Sequence, residues 1–215
     1  MEENQKKTVN TARLVREKMS DGDFELYLYS LKKLAENNYE NNLTFMTNLY
    51  NIRAFQVKAQ EEMLENPDMK FAIIVLDFAN FNTINEFCGR DVGDGLLKCV
   101  ADALRCEAEG KDHTVLAHFR ADVFAVFTPF EDKSELIEIV NHTDKRIAAY
   151  KIPYKVLPAF GICIADSPTM AVSTMRDYAM LALNTIKGKF YAKYAFFDDE
   201  MRKQMLLNKM VENDI

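Results

Sequence analysis

The chain has 215 residues, 48% hydrophobic and 28% charged, enough for one sizeable core with appended helices. Its net charge of −6 and isoelectric point near 5.2 exclude general binding to nucleic acid or to an anionic membrane surface. There is no apolar run of membrane-spanning length and no signal-peptide core at the start, and the four cysteines form no Cys-x-x-Cys pair, so the sequence reads as a cytoplasmic protein with reduced thiols, no zinc site and no membrane contact.

Residues 1 to about 20 are polar and charged. From Asp23, apolar residues recur at Phe24, Leu28, Leu31 and Ala35, an amphipathic helix that stops at Asn37-Asn38. A further helix is expected from Thr47 to about Glu65, with Leu49, Ile52, Ala54 or Phe55, and Val57 inside and Asn66-Pro67 at its end. Phe71 to Leu76 is a continuous apolar run, the pattern of a strand buried on both faces. Asp77 then stands at a strand end, where a carboxylate either caps the next turn or holds a cation.

Phe81, Ile84 and Phe87 recur at helical spacing and leave Asn85 on another face, available to a ligand. After the Gly89 breaker, Leu97, Val100, Ala101 and Leu104 carry a helical stripe to about Glu107, with Asp94 in its first turn. The helix dipole favours a carboxylate there, and Asn and Asp side chains together can also read the amide and amino edge of guanine. Thr114–Phe119 and Val123–Thr128 are two short strands around Arg120-Ala121-Asp122, a hairpin. A helix over Glu131–Tyr150, a strand over Tyr154–Ala165 with Pro158 suggesting an edge or bulge, a helix from Met170 to about Lys187, and a strand over Tyr191–Phe197 complete the domain. Asp198-Asp199-Glu200 caps a last helix with Met201, Met205, Leu206 and Met210 on one side, a packing surface.

Four blocks in order carry a resemblance. LDFANFNTINEFCGRDVGDGLL resembles the D-x-D-x-F-K-x-I-N and G-H-x-x-G-D block of GGDEF domains, the diguanylate cyclase family. HFRADVFAVF resembles the R-Y-G-G-D-E-F hairpin, MTNLYNIRAF the L-T-G-L-x-N-R-R-x-F block before it, and PAFGICIA the V-S-I-G-I-A strand. The implied fold is α+β, a central and mainly antiparallel sheet of about five strands flanked by helices, palm-like as in nucleotide cyclases, with helical extensions at both ends. The implied organisation is a helical linker at residues 1–42, a GGDEF-like domain at 43–197 and a linker helix at 198–215 leading to a missing domain, since the last helix stops without a glycine cap. In this setting the Asp23 helix is either a rod from an upstream module or a helix packed on the domain's own flank.

Residue by residue, the resemblance implies metal contacts at Asp77, the Phe78 carbonyl and Asp122, and nucleotide contacts at Phe81, Asn85 and Asp94. Arg120 reads either as a phosphate contact or as a solvated turn residue. GTP with Mg²⁺ is the implied ligand and cofactor, and the implied partners are a linked EAL-type phosphodiesterase and a second copy of the chain. Several motif positions depart from the family. Ala79 replaces an acid, Asn82 a lysine, Arg120 and Ala121 two glycines, and Val123 the glutamate that assists metal binding. Asn184 stands where a phosphate-binding lysine belongs, and Lys187 and Lys189 are not expected to take its place; KDHT at 111–114 replaces the R-x-x-D of the inhibitory product site. Each lost electrostatic contact of this kind lowers a rate on the order of 100- to 1000-fold. The leading expectation is therefore a catalytically inactive, degenerate GGDEF domain that binds GTP and regulates a linked domain in cyclic di-GMP signalling. A ligand-free interaction or dimerisation scaffold ranks second, and an active diguanylate cyclase third.

Overall fold

The computed structural model describes residues 42–189 and 191–204. The helix expected from Asp23, and Met205, Leu206 and Met210 of the C-terminal stripe, lie outside the described residues. The chain runs α1 (Ile52–Glu65), β1 (Phe71–Phe78), α2 (Phe81–Cys88), α3 (Arg90–Ala108), β2 (Val115–Arg120), β3 (Val123–Pro129), α4 (Lys133–Ala148), β4 (Pro158–Ile164), α5 (Val172–Ile186) and β5 (Tyr194–Phe196).

The strands form one sheet in the order β2-β3-β1-β4-β5. β1 is central, antiparallel to both β3 and β4, and only the β4–β5 pair is parallel. All eight β1 residues are buried, as its unbroken apolar run requires. Because side chains alternate along a strand, β1 feeds two cores. Ala72, Ile74, Leu76 and Phe78 pack with Leu97, Val100 and Leu104 of α3 and with Leu136 and Val140 of α4. Phe71, Ile73 and Val75 pack with Phe55 and Met63 of α1 and with Met175 and Leu183 of α5. Each such large apolar side chain contributes roughly 1.5–3 kcal/mol through burial, so β1 is the most firmly held element and its C-terminal end is a rigid platform. The sheet with helices on both faces is the expected α+β architecture.

Several boundaries differ from the sequence expectation, each for a local reason. α1 begins at Ile52 rather than Thr47, because the Asn51 side chain accepts hydrogen bonds from the backbone N–H groups of Arg53 and Ala54 and caps the helix there. The preceding Thr44–Asn48 segment turns back on itself, with Asn48 N–H donating to Thr44 O at 2.8 Å. Phe87 is 79% exposed, so the apolar face of the short helix α2 consists of Phe81 and Ile84, with Cys88 packed against the same core. Asp91, and not Asp94, occupies the first turn of α3. Pro158 marks neither an edge nor a bulge. It opens an internal strand, opposite Phe78, where its missing N–H is tolerated. The helical turn at 199–204 is capped as expected, with Met201 N–H donating to Asp198 Oδ1 at 2.8 Å.

Candidate functional site

β1 ends beside the β2–β3 hairpin, and this end gathers most of the residues singled out in the sequence. Asp77, the penultimate β1 residue, is 5% exposed. It does not meet solvent. Its Oδ2 lies 2.5 Å from Nζ of Lys187, which follows α5, the helix packed on the sheet face that Asp77 shares with Ile73 and Val75. Asp77 Oδ1 is buried and has no hydrogen-bond donor among the described groups. Asp122, at the hairpin tip, accepts a hydrogen bond from Phe78 N–H at 3.3 Å. Its carboxyl is pushed up to about 6, first by burial and then by the neighbouring Asp77. When protonated, Asp122 can hydrogen-bond to Asp77, which relieves the repulsion between the two acids.

The hairpin turn is held without the family's glycines. Ala121 adopts φ +45°, a left-handed conformation that a Cβ normally disfavours. His118 secures it. Its Nε2–H donates to Ala121 O at 2.7 Å, Nδ1 accepts from the Thr47 hydroxyl at 3.2 Å, and the ring stacks on Phe124 at 4.3 Å. Burial pushes the His118 imidazole down, against the pull of the Ala121 carbonyl, so the neutral ring is the form that fits. Next to this turn, Val123 is 7% exposed and Ala79 9%, so apolar groups fill two positions where the family carries acids. Arg120 is exposed on the hairpin and Asn82 exposed on α2.

The two residues expected to read a base lie on α2, Asn85, and near the start of α3, Asp94. Asn85 and Asp94 are both half-buried. A Cβ built on Gly93 would lie 1.9 Å from Asn85 Oδ1, so the Asn85 carboxamide rests against the α3 backbone one residue before Asp94. Asn85 thus packs on the helix that carries Asp94. Phe81 lies beneath them in the core, 7% exposed and stacked on Phe78 at 6.3 Å, with its ring edge also reaching Gly93. It supports the corner more than it lines it.

The donor set fits a divalent ion poorly. Mg²⁺ takes six oxygens in near-ideal octahedral geometry, whereas one Asp77 oxygen carries the Lys187 ammonium, the other stands alone, and Val123 offers no oxygen. Among the described residues, no three His, Cys, Asp or Glu side chains cluster closely enough to hold a metal. At the opposite end of the sheet, where the family's product site would fall, a groove of about 380 Å³ is lined by Lys111 and His113 but also by Asp112, Glu131 and Glu135. His113 is already bonded to Glu62 at 2.7 Å. Three acids around the groove oppose an anionic ligand.

Two residues that hold the site were not singled out from the sequence. Lys187 was passed over as one turn too late to replace the family lysine, yet it reaches a different partner, Asp77. His118 belongs to none of the motif positions that the family resemblance assigns a role. Its place in an apolar strand two residues before the turn was the available signal.

The fold defines a palm-like α+β domain with Asp77 at the end of its central strand beside the β2–β3 hairpin. Residues 42–189 match the family model described as diguanylate cyclase, GGDEF domain, and the chain belongs to this family of cyclic di-GMP signalling domains. The GGDEF domain of TpbB (YfiN) from Pseudomonas aeruginosa superposes with a TM-score of 0.65 at 17% identity, over 76% of this chain and 99% of that one. The GGDEF domain of DgcB from Caulobacter crescentus, in complex with c-di-GMP, gives 0.65 at 17% over 75% and 96%. The S helix-GGDEF-EAL structure of LapD from Vibrio cholerae, bound to c-di-GMP, gives 0.61 at 18% over 89% and 46%. At these identities the likeness is one of fold. The uncharacterized protein YhcK from Bacillus subtilis strain 168 is 29% identical over 94 residues, 42% of this chain and 26% of that protein, so the match spans about a quarter of that curated relative. Among the described residues no helix is long and apolar enough to cross a membrane.

Proposed function

We propose that this chain is a catalytically silent GGDEF domain that serves as a regulatory module in cyclic di-GMP signalling and takes a guanine nucleotide at its Asn85–Asp94 corner. One observation carries the reading. The carboxylate the family uses to hold metal, Asp77, is engaged by the chain's own Lys187 at 2.5 Å. Phosphoryl transfer of the family's kind depends on cations that offset charge on the attacking and leaving oxygens, and this site offers neither the carboxylates nor the open coordination they need. Binding asks for less. A guanine edge needs the carboxamide of Asn85, which packs on the helix that carries Asp94, and the carboxylate of Asp94, while Arg120, exposed on the hairpin, offers a cation to a phosphate. In this reading Mg²⁺ enters only with the nucleotide's phosphates, and the signal passes to a linked or partner domain, with an EAL-type phosphodiesterase and a second copy of the chain as the partners in view. The GGDEF-EAL arrangement of LapD supports that choice.

Calorimetric titration with GTP tests the binding half of the proposal. The expected result is heat of binding that Asn85→Ala or Asp94→Ala reduces at least about tenfold in affinity, as loss of a hydrogen bond to a buried polar edge does. Absence of heat with the folded wild type would refute nucleotide binding and leave a ligand-free scaffold.

A further inference from the structure

The contact between Lys187 and Asp77 joins residues 110 positions apart, so it is not a by-product of local helix geometry. Rigid elements deliver it. Lys187 is the C-cap of α5 and donates its backbone N–H to Leu183 O at 2.9 Å. Gly188 follows at φ +80°, a left-handed turn that reverses the chain, and Lys189 N–H closes it on Ile186 O at 2.9 Å. The helix itself lies so close to β4 that Gly161 has no room for a Cβ. At the other end, the Asp77 side chain is 7% exposed and that of Lys187 35%. A carboxylate this buried is costly without a cation, and the ammonium supplies one.

We infer that Lys187 is a tethered cation that takes the place of a divalent metal ion at Asp77, so that the site keeps its charge balance without metal. The inference rests on the GGDEF reading of the site for which ligand has been replaced. An ammonium is a compact single charge with three donors, and it occupies the oxygen a metal would bind. A divalent ion reaches Asp77 only after Lys187 has left, because two cations on one carboxylate oxygen repel. The substitution also ties the C-terminal end of α5, and the chain that follows it, to the tip of β1.

The test uses Mn²⁺ alone, as the probe of a divalent site, with thermal melting as the readout. Wild-type protein should melt at the same temperature with and without millimolar Mn²⁺. Lys187→Gln should melt lower and regain about 3–5 °C when Mn²⁺ stands roughly tenfold above its dissociation constant, and Asp77→Asn combined with Lys187→Gln should show no such gain. Mn²⁺ stabilising the wild type as much as K187Q, or a folded K187Q that ignores Mn²⁺, would overturn the inference. Should K187Q fail to fold, paramagnetic broadening in the wild type decides the question. No selective loss of the Asp77, Phe78 and Asp122 amide signals is expected, and selective loss places the metal there and refutes the tethered cation. Neither readout involves GTP. Mn²⁺ seated at wild-type Asp77 sinks this inference alone, whereas GTP turnover sinks the silent-domain reading.

Discussion

Replacing Gly161 by alanine puts a methyl group where β4 and α5 leave no space. The added Cβ would lie 1.9 Å from the carbonyl oxygen of Ala179 and 2.7 Å from both the backbone N and the Cβ of Leu183. Ordinary contact begins at 3.4 Å, so the helix must withdraw by about 1.5 Å, and the obstacle is backbone that no rotamer change can clear. Overpacking of a core costs typically 1–3 kcal/mol, and a backbone obstacle belongs at about 3 kcal/mol. For a domain of this size that corresponds to a melting temperature roughly 6–12 °C lower. The same withdrawal carries Lys187 away from Asp77, since Lys187 caps the helix that moves. Circular dichroism melts and urea titrations of Gly161→Ala measure the stability loss. A melting temperature within about 2 °C of wild type, on the same scale, would show that α5 is not seated as tightly as described and would refute this reasoning.

Gly93→Ala meets a movable obstacle, the end of the Asn85 side chain at 1.9 Å, and gains about 1 kcal/mol of helix propensity. Melting should therefore change little while GTP affinity in calorimetry falls at least about tenfold; an unchanged affinity would remove Asn85 from the ligand corner. Asp122 has its carboxyl raised to about 6 beside Asp77, so the folded state binds that proton more tightly than the unfolded chain does. Its contribution is present at low pH and is lost as pH rises from about 4 through about 6. Asp122→Asn, which keeps an acceptor for Phe78 N–H and still faces Asp77 and Lys187, should be more stable than wild type above about pH 6 in urea titrations; an unchanged pH slope would contradict the buried acid. His118, lowered by burial, has the opposite sign: its contribution is present above the ordinary imidazole range and is lost as pH falls through it, so the comparison must be made variant against wild type. Chelation should leave the melting temperature of the nucleotide-free protein nearly unchanged, because Lys187 rather than metal balances Asp77. A large drop on adding EDTA would argue for a bound divalent ion.

The central strand, the hairpin and the α3 stripe were legible because each is an apolar pattern with a single period, and the sheet built from them follows the four motif blocks. Boundaries were less so. The start of α1 is set by which asparagine caps it, and Thr44, Asn48 and Asn51 are all acceptable caps to the eye. Phe87 fits a helical stripe by spacing, but the stripe that meets the core runs Phe81, Ile84 and Cys88, one residue further on. The losses at Ala79, Asn82, Val123 and Asn184 could be read position by position against the family pattern. What replaced them could not. The Lys187–Asp77 pair depends on how α5 crosses the sheet, and the His118–Ala121 bond depends on a turn conformation that alanine alone would not announce. Both are tertiary solutions to local departures.

Silence in catalysis is most directly tested by incubating the protein with GTP and excess Mg²⁺ or Mn²⁺ and resolving the products by chromatography with mass detection. GTP should persist and no cyclic di-GMP should appear above the protein-free control. Cyclic di-GMP that forms with the wild type and disappears with Asp77→Ala would contradict the account.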